Sequence, residues 1–62
     1  MSVNELLGLF RRILIEHIES GVAVDDIARY YGYDFDDLLK QVQYLAKGGH
    51  PCAKELIEVW NG

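Results

Sequence analysis

Residues Val24–Leu39 read VDDIARYYGYDFDDLL, and the fold turns on how that stretch is parsed. Ile27, Ala28 and Tyr31 recur at i, i+1 and i+4, the spacing of one helical face. Gly32 follows at once, the residue type that most readily supplies a turn. Asp34 precedes Phe35 and Asp36, where a second helix begins. Its apolar stripe is Leu38, Leu39, Val42, Leu45 and Ala46. The stretch therefore predicts a short helix over about 25–31, a tight turn, and a helix over about 35–47. Asp25 is placed to cap the first helix and Asp34 the second.

Working outward, Ser2 or Asn4 caps a helix over about 3–19, with Glu5 in its first turn. Val3, Leu6, Leu7, Phe10, Ile13, Leu14 and Ile18 form one apolar face, and Gly21 is the expected left-handed residue after it. Leu9 lies at the rim of that face. Ile15 falls on the opposite side, among Asn4, Gly8, Arg11 and Glu19. Apolar residues outside the core stripe suggest a second surface covered by a dimer mate or another protein, and Leu9, Ile15 and Arg11 are the expected residues of a homodimer interface there. After Gly48-Gly49, His50 and Pro51 open a helix over about 51–60, since proline at the first helical position lacks only an N–H that would be unpaired there. Ala53, Leu56, Ile57 and Trp60 follow at helical spacing. No alternating strand pattern occurs anywhere. The expected fold is all-α, a single compact four-helix domain with Phe10, Ile27, Leu38, Val42, Leu56 and Trp60 at its centre.

Sixty-two residues make one domain, which at this size buries only about 60% of the surface of its unfolded chain. Little room remains for a catalytic cleft beside a core, which argues against an enzyme. The hydrophobic fraction of 50% and net charge of −4 are unevenly used. Residues 24–39 alone carry −4, with Arg29 against Asp25, Asp26, Asp34, Asp36 and Asp37. A general attraction for phosphate backbones is not expected of such a chain. The single cysteine, Cys52, excludes an internal disulfide and fits a reducing cytoplasm. Glu5, Arg11, Arg12, Glu16 and Glu19 interrupt the first helix too often for a membrane span.

Residues 26–33, DIARYYGY, resemble the first helix and turn of the helix-turn-helix family, and the resemblance extends over residues 24–45. Small Ala28 after Ile27, Gly32 four residues later and apolar Tyr33 are the matching features. The resemblance implies two helices in close approach, with Leu38 of the second plugging back into the first. Val42 stands one position later than the last core residue usual in the family. It also implies that the second helix would meet base edges in the DNA major groove. Here those positions hold Asp34, Asp36 and Asp37, and like charges repel by about 1 kcal/mol per pair at 4 Å even in water.

Chemistry elsewhere is sparse. His50 and Cys52 lack the second pair of ligands that a zinc site requires, and no metal or cofactor is expected. Cys52 reads as a small packed residue, and His17 as a partly buried histidine with its hydrogen bond made. The carboxylates show no pair set for acid–base work. The expected function is a non-enzymatic protein–protein interaction module, a small acidic regulator or inhibitor. Its size and composition are similar to those of phage or plasmid regulators that act on a nucleic-acid-handling partner. Asp34, Asp36, Asp37, Lys40, Tyr44 and Tyr33 are the expected partner-binding residues, with Tyr30 and Phe35 beside them, and two of the four aromatics are expected in the core. The alternative is a dimeric helix-turn-helix transcription regulator, with Arg11, Arg12, Arg29, Lys40 and Lys47 on phosphate.

Overall fold

The computed structural model covers residues 1–62 and contains four helices: α1 Val3–Ser20, α2 Val24–Tyr30, α3 Phe35–Lys47 and α4 Pro51–Asn61. No strand is present, so the domain is all-α as its sequence predicts. Every helix but α2 opens on a side-chain cap. Ser2 accepts from the Glu5 N–H at 3.2 Å, Asp34 from Asp36 at 3.3 Å, and His50 Nδ1 from Ala53 at 3.4 Å. Helix α2 departs from expectation. Its N-cap is Ala23, with no side-chain hydrogen bond, and Asp25 lies inside the first turn. Val24 is the first helical residue and is buried, and that burial favours a start which leaves Asp25 in the first turn.

The helix ends are closed by backbone hydrogen bonds. Tyr33 N–H donates to the Ala28 carbonyl and Gly32 N–H to that of Arg29, both at 2.9 Å. His50 donates to Leu45 and Gly49 to Ala46, both at 3.0 Å. These are two Schellman motifs, each needing a left-handed residue; Gly32 at φ 86° and Gly49 at φ 96° supply it. At the end of α1, Gly21 donates to the His17 carbonyl at 2.9 Å. The following corner is tied by His17, whose Nδ1 lies 2.6 Å from the Val22 carbonyl. A carbonyl only accepts, so Nδ1 carries the proton there. The half-buried, hydrogen-bonded state expected of His17 is what the fold contains.

The core is built from twelve buried apolar side chains, and no polar residue is buried. Leu6, Leu7, Phe10, Ile13 and Leu14 come from α1, Val24, Ile27 and Ala28 from α2, Phe35, Leu38 and Val42 from α3, and Ala53 from α4. Phe10 stacks on Phe35 at a centroid distance of 5.4 Å, and Trp60 packs on the same Phe35 at 5.0 Å. Leu56 and Trp60 close the rim of this core, half-buried. Ile18 does not join it and is 69% exposed. It lies on the edge of the stripe over the last turn of α1, and no other element covers it.

Helix α1 is also bound to α2 by Tyr31, whose hydroxyl donates to Glu16 Oε1 at 2.8 Å. That hydrogen bond raises the Tyr31 pKa above the ordinary 10.0, helped by burial and by the Glu16 charge. A raised folded-state value means the bond stabilises fully below the unfolded pKa of about 10 and fails as pH climbs through the folded one. Wild type should therefore melt higher than Tyr31→Phe at pH 7, and the gap should close above about pH 10; a gap constant with pH contradicts this. Phe10→Ala should cost about 3–5 kcal/mol, comparable to all that a domain this small gains from its core. Its circular-dichroism melt should lose cooperativity, whereas Tyr44→Ala at the exposed surface should shift stability by less than about 0.5 kcal/mol.

Candidate interaction surfaces

The domain measures 30 × 25 × 16 Å. With only twelve side chains buried, each helix keeps an exposed outer side, and two of these sides carry distinctive chemistry.

The first surrounds the turn between α2 and α3. A shallow depression there is lined by Asp25 and Arg29 from α2, Tyr33 and Asp34 from the turn, and Asp36 from α3. The Schellman turn at Gly32 reverses the chain so that Asp25 shares one rim with Asp34 and Asp36. Asp25, Asp26, Asp34, Asp36 and Asp37 are all exposed. The molecule has one ion pair, Arg29 with Asp26 at 3.2 Å, and both partners are well solvated. Asp25, Asp34, Asp36 and Asp37 thus have no cation against them. Acids in the first turn of a helix gain about 0.3–1 kcal/mol from its dipole, which accounts for Asp36 and Asp37 locally without using up their charge.

The six residues expected to bind a partner separate into two groups. Tyr33, Asp34 and Asp36 meet at this depression. Lys40 and Tyr44 lie farther along α3, in another shallow depression with Met1, Val3 and Gln41. Asp37 lines neither. Phe35 leaves the set of surface aromatics altogether: it is buried between Phe10 and Trp60. Tyr30 and Tyr44 are exposed. Asp25 and Arg29 are the residues at this site that periodicity did not single out, because the turn alone brings α2 and α3 together here.

The second surface is a groove of about 430 Å³ between α1 and α4. Its α1 wall is Asn4, Gly8, Arg11, Ile15 and Ile18; its α4 wall is Cys52, Glu55 and Val59, over a floor that includes Leu7, Leu14 and Leu56. Ile15 and Arg11 line this groove. Leu9 does not: it is half-buried and packs against the core. Cys52 is exposed rather than packed, because its side of α4 faces the open groove. Gly8 stands out within α1. A methyl group added there would meet nothing within 4 Å, yet glycine inside a helix costs about 1 kcal/mol relative to alanine. Nothing inside the monomer requires it.

Nowhere do three His, Cys, Asp or Glu side chains converge as metal ligands, and no helix is long and apolar enough to cross a membrane. No known protein family, curated protein or solved structure matches the chain.

Proposed function

We propose that this chain is a non-enzymatic interaction module, a small cytoplasmic regulator or inhibitor of the phage or plasmid type. It would present its acidic α2–α3 turn to a basic surface on a nucleic-acid-handling partner. The supporting observation is the rim formed by Asp25, Asp34 and Asp36 around Tyr33, with no cation paired to any of those three acids. A partner's lysines and arginines would meet carboxylates that need not first be pulled from internal ion pairs. Tyr33 adds an amphipathic ring of the kind enriched in interface hot spots.

The short helix, four-residue connection and following helix are compatible with a helix-turn-helix, and the alternative use of that shape is DNA binding by a dimer. The charges weigh against it. A recognition helix meets DNA through its N-terminal residues, and in α3 these are Asp36 and Asp37, behind the Asp34 cap. Lys40 and Lys47 are the only cations on that helix.

Asparagine caps a helix as well as aspartate does, so the triple variant Asp34→Asn, Asp36→Asn, Asp37→Asn should keep the fold while removing three charges. Wild type and variant used as baits in host extract, with quantitative mass spectrometry, should differ in a salt-sensitive set of basic proteins held by wild type alone. Recovery of the same proteins by both baits sinks the proposal. In a parallel mobility shift, random duplex at low salt should stay unretarded at micromolar protein. Retardation abolished by Lys40→Ala and Lys47→Ala would favour the DNA-binding reading instead.

A further inference from the structure

The groove between α1 and α4 has a register that the acidic turn lacks. Along α1, Asn4, Gly8, Arg11, Ile15 and Ile18 advance in alternating steps of four and three residues, the seam of a helix that pairs with another helix. All five line the groove, over Leu7 and Leu14 of the stripe that enters the core. One helix thus faces the core on one side and, beside it, an open groove in which Ile15 and Ile18 are left exposed. Ile15 is 43% exposed, and Val59 across the groove 50%.

Two features say what covers it. From Gly8 to Ile18 the seam is symmetric about residue 13: in an antiparallel pair, Gly8 falls opposite Ile18 and Arg11 opposite Ile15. The largest exposed knob on α1 would then meet the one position with no side chain, where the monomer leaves open space. Charge follows the same symmetry near the midpoint: Arg11 and Arg12 precede it and Glu16 and Glu19 follow it, while Glu5 lies farther out in the first turn. An antiparallel copy sets arginines within about a helical turn of the other chain's glutamates, whereas a parallel copy sets like on like. Arg11 also lies on the groove with Glu55, and neither forms an ion pair within the chain.

We infer that a second copy of this chain fills the groove, with the two α1 helices antiparallel and Ile18 of each copy seated over Gly8 of the other. The inference gives a surface, direction and register to the homodimer, and it does not depend on what binds the acidic turn. Arg11 extends its aliphatic stem along Ile15 of the second copy and carries its guanidinium out to the glutamates, as long cationic side chains do at helix seams.

Sedimentation equilibrium should give twice the 7.1 kDa chain mass at high micromolar concentration. Ile18→Asp should return it to the monomer mass with unchanged far-UV circular dichroism, because Ile18 is exposed and the fold does not use it. A strict monomer in wild type overturns the inference, as does a dimer that survives Ile18→Asp. Orientation is read by oxidising a mixture of Gly8→Cys and Ile18→Cys chains, both carrying Cys52→Ser. The mixed disulfide should dominate, since like positions stand about 15 Å apart along the axis at 1.5 Å per residue. Predominant disulfides between like chains overturn the antiparallel register. The triple asparagine variant at the turn should dimerise as wild type does, which separates failure here from failure of the proposed function.

Discussion

Phe10 of α1 lies face to face with Phe35 of α3, their rings 18° from parallel, and Trp60 of α4 leans on the far side of Phe35. Three of the four helices meet in that stack. A chain of 62 residues has few other places to gain stability: the buried set is twelve side chains, and an aromatic buries more area than any aliphatic. Ala28 of α2 and Ala53 of α4 are both fully buried beside the stack. Outside the core, further order comes from the caps, the two Schellman turns and the ties from His17 and Tyr31.

A core so concentrated leaves much of the molecule unspent. The hydrophobic fraction is half the sequence, yet Ile15, Ile18, Val59, Tyr30 and Tyr44 are exposed. The acids behave in the same way. Asp34 caps α3, while Asp36 and Asp37 complement its dipole, and these duties leave every carboxylate at the surface. Local structure and outward charge are therefore compatible demands on the same residues. The two bare sides differ in chemistry, an open acidic turn and an apolar groove with one cation and one anion at its walls, so they suit different occupants.

Much of this was legible in the sequence. Gly21, Gly32 and Gly49 announced the helix ends, because only a left-handed residue closes them so tightly. Pro51 fixed the start of α4 to the residue. Where the sequence misled, tertiary packing had outweighed a local signal. Asp25 is a better cap than Ala23, but burial of Val24 favours a start that leaves Asp25 in the first turn. Phe35 stood among surface tyrosines and acids, and only the approach of α1 and α4 shows that it is central. Ile18 matched the core period, yet the groove beyond Leu14 stays open. The site was legible in part: Tyr33, Asp34 and Asp36 do gather, while Lys40 and Tyr44 belong to another depression. Asp25 and Arg29 joined them through the turn, a contact that no periodicity along one helix reveals.

The proposal that the α2–α3 turn is a surface for basic protein rather than for DNA is open to direct measurement. Amide chemical shifts test it residue by residue. The ¹⁵N-labelled chain would be titrated at low salt with a lysine- and arginine-rich peptide and, separately, with a short random duplex. The peptide should move the amides of Asp25, Asp26 and residues 33–37, and the duplex should move none. Duplex-induced shifts along α3 from Asp36 to Tyr44, with the peptide leaving the turn unmoved, would contradict the account.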